Sequence, residues 1–336
     1  MTVVDSKRVS FTASDSTLTV HDELDDRTAT FEVTPHPSLR SALADLFHFP
    51  VDAAVSFDAE TVSIGPNANV LVRDRDGAVL DRVSGGRQSY PRGTYYVAVN
   101  TSVRTYLRLA DTQPTLRVRG EPEYGVEIQF DSKTTVTAGA RSHHVQPEAT
   151  ITVPDDPRDR MEAFSYLGSS IREFSPERAW ADLRGYPPRF ERGETLSIPS
   201  SLSKPETGVT VTVPPTHAAL YRIAPLAFYF GATVEAGENP ALNLPNGYSE
   251  PLMTRHQRLE ESVDEILFKC LVLDALVRGG GYIPVTVRAY EDVAPHLPFY
   301  PESLAREPFG VQLMEYLEAP TAPVLDALPK HTMTAV

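Results

Sequence analysis

Up to about residue 152 the apolar residues recur at every second position, and from Pro154-Asp155-Asp156-Pro157 onward they recur at helical spacing. That change divides the chain into a β-rich stretch, 1–152, and a helix-containing stretch, 153–336. In the first, Val9–Ala13, Thr17–His21 and Thr28–Val33 read as short strands, and a short helix is expected after Pro37, with Leu39, Leu43, Leu46 and Phe47 on one side. Ala53–Phe57, Thr61–Ile64, Val70–Arg73, Arg104–Leu109, Thr115–Val118, Gly125–Phe130, Thr134–Ala138 and Ala149–Val153 continue the series. Asp74-Arg75-Asp76-Gly77 between two apolar runs is a hairpin-turn signal. Short strands separated by glycine, proline and aspartate predict an antiparallel β-sandwich.

The second stretch is expected to be a smaller α/β domain with a mixed sheet, giving an α+β multidomain chain. Arg158 to Ile171 is helical in pattern, with acidic residues at its start, where the helix dipole favours them. Thr207–Val213 alternates as a strand, Ala218–Ala224 is apolar, Pro225 suits the first turn of a helix that Phe228–Gly231 ends, and Ala232–Ala236 returns to strand. Strand, helix, strand predicts a parallel pairing. One long amphipathic helix begins near Thr254, with Leu259, Val263, Ile266, Leu267, Cys270 and Leu271 on a single stripe. Gly279-Gly280-Gly281 stops it, and Tyr282–Val287 reads as extended. Further helical patches lie near Pro301–Leu317 and Val324–Leu328. His331–Val336 resembles a strand just starting, as a truncated or split chain would. No internal repeat is legible.

Charge and cysteine usage narrow the functions. The net charge of −14 disfavours nucleic acid or an anionic membrane as the main partner. Lys7, Lys133, Lys204, Lys269 and Lys330 are the only lysines, all other basic residues being arginine. A lysine-poor, carboxylate-rich surface suits a high-salt cytoplasm, where screening lowers the cost of self-repulsion. With Cys270 alone, neither an intramolecular disulfide nor a cysteine-based metal site of the usual kind can form. The polar start and the absence of a long apolar run make the cytoplasm the expected location.

Motifs for chemistry are sparse. No Gly-x-Ser-x-Gly occurs, Ser169 and Ser170 fall in a helical patch, and Cys270 lies on an apolar helix face. The glycine triplet follows a helix instead of preceding one, so it frames no phosphate loop. No cofactor and no metal are implied. His143-His144 and Asp155-Asp156 are the candidate polar site: the histidines as a loop pair, the carboxylates as helix-start charges that a dispersed hydrolase site would borrow. Tyr95, Tyr96, Tyr106 and Phe130 are candidates for a groove holding a sugar or peptide, and Trp180 for packing.

Several strings together resemble the N-terminal, non-catalytic region of haloarchaeal CHAT-domain proteins. They are Gly139-Ala140-Arg141-Ser142-His143-His144, Pro154-Asp155-Asp156-Pro157-Arg158-Asp159, Ala224–Ala232, Ile266–Leu271 and Leu325–Pro329. The resemblance runs from about residue 50 to the end. It implies a non-catalytic accessory or interaction region, partnered with a caspase-like protease domain in the same or a neighbouring chain. It carries over no catalytic residue. The alternatives are a ligand-binding β-sandwich and a hydrolase with a dispersed site.

Overall fold

The computed structural model describes residues 3–120, 124–280 and 290–326. The chain divides into two compact units, Met1–Val145 and Gln146–Val336, the second being the longer rather than the smaller.

The first unit is one antiparallel sheet of 13 strands. In chain order these are β1 (Val3–Asp5), β2 (Val9–Ser14), β3 (Thr17–Asp22), β4 (Arg27–Thr34), β5 (Arg40–Ser41), β6 (Ala53–Ile64) and β7 (Asn69–Arg73). There follow β8 (Val79–Val83), β9 (Arg87–Ser89), β10 (Gly93–Asn100), β11 (Arg104–Thr112), β12 (Thr115–Arg119) and β13 (Gly125–Arg141). The order is β1-β2-β3-β4-β6-β13-β11-β10-β7-β8, with β12 and β5 on the flanks of β13 and β6, and β9 on β12.

Four segments that read as separate strands are two long ones. The first part of β13 pairs with β12 and with Thr61–Ile64 of β6, whereas its second part pairs with β11 and with Ala53–Ala59. The register shifts between Gln129 and Thr134, where Asp131, Ser132 and Lys133 are exposed. Polar residues interrupt the alternation there while backbone pairing resumes on the same partner, as at a β-bulge. Both halves feed one core: Phe11, Leu18, Phe31 and Ile128 from one, Phe57, Val97, Leu107 and Val136 from the other. Each such side chain, fully buried, contributes about 1.5–3 kcal/mol.

No helix follows Pro37. The chain forms β5, a single 3-10 turn at Ala44–Leu46, and then a strap over the outer face of the sheet. Leu43 is 71% exposed, whereas Phe47 and Phe49 are buried. Phe49 stacks on Tyr106 at 4.7 Å, Arg73 lies 4.8 Å above the Phe49 ring, and Tyr96 Oη donates to Leu46 O. Gly139 lies beneath Phe47, where an added Cβ would stand 2.6 Å from the ring. Helical spacing was present, but aromatic burial against β10 and β11 decided the conformation.

The second unit contains β14 (Thr150–Val153), α1 (Pro157–Phe164), α2 (Ala181–Arg184), β15 (Arg189–Arg192), β16 (Thr210–Val213), α3 (His217–Phe230), β17 (Thr233–Ala236), β18 (Ala241–Asn243) and β19 (Ser249–Pro251). After these come α4 (Leu259–Val277), α5 (Tyr290–Val293), α6 (Pro301–Leu304), α7 (Phe309–Glu318) and α8 (Thr321–Asp326). β14 and β15 pair in parallel. The four-stranded sheet β17-β16-β18-β19 is mixed, parallel at β16–β17 and antiparallel beyond. A short repeat emerges here that the bare sequence did not advertise. Thr150-Ile151-Thr152-Val153-Pro154 and Thr210-Val211-Thr212-Val213-Pro214 each form a strand that turns into a helix. Those helices are capped by the Asp156 and Thr216 side chains, respectively.

Pro225 sits inside α3, not in its first turn. A proline there removes the bond to Tyr221 O and costs about 3 kcal/mol. It lies on the exposed face, while Leu220, Ile223, Leu226, Ala227 and Phe230 are buried and hold the helix. Gly231 then ends it in the left-handed region, at φ 56°. The long helix α4 starts at Leu259, after Thr254, because the Glu261 side chain accepts from Arg258 N and fixes the first turn. Its buried set is broader than one stripe and includes Ser262, Lys269 and Asp274. The extended reading of Tyr282–Val287, and those of Leu328 and His331–Val336, lie outside the described residues. Among the described residues no helix is long and apolar enough to cross a membrane.

At the centre of the second unit Arg178, on the turn Pro176–Ala179, meets Asp274 of α4, both fully buried. Arg178 Nη2 lies 3.0 and 2.8 Å from the two carboxylate oxygens. Tyr229 Oη of α3 donates to Asp274 at 2.6 Å, and the guanidinium lies 4.5 Å over Phe309 of α7. Burial pushes the Asp274 carboxyl up to about 6 against the pull of Arg178. Arg178→Met is expected to cost about 3–5 kcal/mol, because it strands a buried carboxylate, and Arg178→Met with Asp274→Leu to recover most of that loss. Chemical denaturation followed by the fluorescence of Trp180 measures both.

Candidate functional site

The two strand-to-helix turns of the second unit meet at the carboxyl ends of β14, β15 and β16. In α/β folds this is where ligands gather, because the loops there are free to vary over a rigid sheet. Asp155, from the first turn, is the meeting point. Its Oδ2 lies 3.1 Å from Arg192 Nη2 at the end of β15, and its Oδ1 lies 3.6 Å from Arg160 Nη2 of α1. His217 Nε2, the first residue of α3, stands 3.5 Å from the same Oδ1. Tyr221, one turn further along α3, accepts from Arg160 Nη1 and lies under the guanidinium at 5.4 Å.

Below these polar groups Val153, Phe164, Leu167, Phe190 and Ala224 form an apolar floor, and the groove has a volume of about 540 Å³. Phe164 packs edge-on against Phe190 at 5.4 Å and against Tyr221 at 5.8 Å. Glu191 and Arg192 alternate along the rim. Exposure is graded across the site: the Arg160 side chain is 12% exposed, Asp155 56% and Arg192 78%. Arg160 Nε is buried with no hydrogen-bond partner among the described residues. An apolar floor beneath a few convergent polar groups is the usual build of a small-molecule or peptide site.

The four residues singled out by sequence fall in different places. His143 and His144 belong to the first unit, Asp155 and Asp156 to the second. Asp156 is the N-cap of α1, its Oδ1 accepting from Arg158 N and Asp159 N, and it does not line the groove. The histidines lie in the loop after β13. His144 is buried with φ 52°, and His143 Nε2 lies 3.4 Å from Thr101 O. That loop is held by carboxylates: Asp52 accepts from Ser142 N, Asp22 from His143 N and Asp25 from Val145 N.

The tyrosines proposed for a groove in the β-rich unit are packed instead. Tyr95, Tyr96, Tyr106 and Phe130 are all buried, and the hydroxyls of Tyr95 and Tyr96 donate to Pro91 O and Leu46 O. Cys270 is fully buried, and burial pushes its thiol up to about 12. Lys269 is buried too; its Nζ donates to Leu317 O and Ala319 O, where it caps the end of α7. Among the described residues no group of three or more histidine, cysteine or acidic residues is placed to hold a metal ion. Arg160, Arg192, His217 and Tyr221 escaped sequence reasoning; the two Thr-x-Thr-Val-Pro strands that help bring them together stand out as a pair only once each is seen to turn into a helix.

Adjacent carboxylates therefore have different duties. Asp156→Ala removes a cap and is expected to cost about 1 kcal/mol. Asp155→Asn loosens exposed ion pairs and is expected to change stability by less than about 0.5 kcal/mol. Thermal melts of the two variants give the contrast directly.

Comparison with known proteins gives no matching family model, no matching curated protein and no matching solved structure.

Proposed function

We propose that this chain is a non-catalytic recognition module and that its ligand enters the groove between α1, β15 and α3. The observation that carries the proposal is the pairing of an apolar aromatic floor with Asp155, Arg160 and Arg192 at strand ends. The lining offers charge, hydrogen-bond donors and flat aromatic surface, with no serine, threonine or cysteine among its residues. Such a set is suited to holding a ligand by charge, hydrogen bonds and packing on the rings. In this reading the β-rich unit is a sandwich whose two halves face each other across their common core and serve as scaffold. The resemblance to the N-terminal region of CHAT-domain proteins supplies the partner class, a caspase-like protease domain in the same or a neighbouring chain. The lysine-poor surface belongs to a salt-rich cytoplasm.

Ala224 lies on the floor, so Ala224→Trp fills the groove from a helix that is otherwise unchanged. A thermal-shift panel of peptides, amino acids, organic acids and sugars is expected to raise the melting temperature of the wild type. A ligand at 100 times its Kd adds about 2.7 kcal/mol, or roughly 5–10 °C for a unit of this size. The shift is expected to vanish in Ala224→Trp. A flat panel, or a shift that survives the filled groove, overturns the assignment. A stable complex with a caspase-like protease chain in multimolar salt is the expected partner result, and separate elution of the two removes that partner.

A further inference from the structure

We infer that the groove takes a carboxylate carried on an apolar body: a small aromatic acid, or the carboxyl end of a peptide whose last side chain is large and apolar. The inference rests on the groove being the recognition site and adds the chemistry of what it takes.

Glu191 pairs with Thr152 of β14, and alternation puts both side chains on the face opposite Phe190 and Arg192. The charged side chains left facing the groove are Arg160, Arg192 and Asp155, a surplus of positive charge in a chain whose net charge is −14. Asp155 is already engaged. Its Oδ2 accepts from Arg192 Nη2 at 3.1 Å, and its Oδ1 is shared between Arg160 at 3.6 Å and His217 at 3.5 Å, so no carboxylate is open to a cation. The donors are not used up. Among the described residues Arg192 engages only through Nη2, which leaves Nη1 and Nε open on a side chain 78% exposed. Arg160 Nη1 donates to the Tyr221 hydroxyl, whereas its Nε is buried with no hydrogen-bond partner among the described residues. A buried donor without an acceptor is costly, and a ligand oxygen removes that cost.

A carboxylate is flat, and an arginine fork holds its two oxygens by parallel N–H bonds. Its single charge matches the surplus, whereas a phosphate ester brings about two negative charges at neutral pH. Beneath the arginines Phe164 and Phe190 stand edge to face at 5.4 Å, with Ala224 beside them, and offer ring surface to an apolar body. The volume of about 540 Å³ admits an aromatic acid or the last residues of a peptide.

Calorimetric titration of the full chain with four probes tests this: hydrocinnamate, hydrocinnamide, phenyl phosphate and N-acetyl-leucyl-phenylalanine. Hydrocinnamate or the acetylated dipeptide is expected to bind at least about 10-fold more tightly than hydrocinnamide, since a charged hydrogen bond is worth about that factor. Tighter hydrocinnamate identifies a free acid as the source, and a tighter dipeptide identifies a peptide end. Arg192→Gln is expected to weaken both acids by about 10-fold and to leave the amide unchanged. Arg192→Lys, which keeps the charge and loses the fork, is expected to fall between; the side chain is exposed, so both variants keep the fold. Ala224→Trp is expected to abolish acid binding. An amide that binds as tightly as the acid, a phenyl phosphate that binds more tightly than either acid, or acids indifferent to Arg192→Gln overturn the inference. So does failure of all four probes while another ligand responds to Ala224→Trp, a result that leaves the groove standing. If no ligand responds to the filled groove, the recognition site itself falls and takes the inference with it.

Discussion

The buried ion pair between Arg178 and Asp274 organises the second unit. Two charges with no exposure are expensive to bury, and the attraction between them offsets that expense only when the geometry is close and further hydrogen bonds support it. Here the carboxylate receives the guanidinium and the Tyr229 hydroxyl, and the guanidinium also lies over the Tyr229 and Phe309 rings. Four segments far apart in sequence must therefore arrive together: the turn at Pro176–Ala179, α3, α4 and α7. A hydrophobic contact would tolerate sliding, but a hydrogen-bonded charge pair does not.

That constraint reaches the groove through α3. Tyr229, near the end of the helix, is anchored on Asp274, so the rotation of α3 about its axis is set. Two turns earlier, Tyr221 is exposed, and His217 begins the helix beside Asp155. Pro225 lies between anchor and site, on the solvent side, and the buried face runs past it without a break. The groove thus sits at the open end of a rigid element, with α1 and β15 completing its walls.

In the β-rich unit the corresponding constraint is the sharing of β6 and β13 by both halves of the sheet. Alternation made the strands legible, because one-sided burial shows in sequence as a period of two. Continuity across Asp131-Ser132-Lys133 was not legible, since a polar interruption looks the same whether the chain turns away or merely bulges. The segment after Pro37 misled for a different reason. Leu39, Leu43 and Leu46 carry a helical spacing, yet Phe47 and Phe49 gain more by lying on Tyr96 and Tyr106.

By itself the sequence determined the local elements: the strand periods of the first stretch, the acidic helix start at Asp155-Asp156, the stripe of α4 and the inertness of Cys270. These depend on neighbours within a few residues, which any reader of the chain can see. Only the tertiary structure decided that Asp155 meets Arg160, Arg192 and His217, while Asp156 beside it is spent as a cap and His143 and His144 lie in the other unit. It likewise decided that Lys269 and Asp274, ordinary surface residues by composition, are buried. The physical reason is that a charge declares its type in the sequence, whereas its partner is chosen by packing between elements that the sequence keeps far apart.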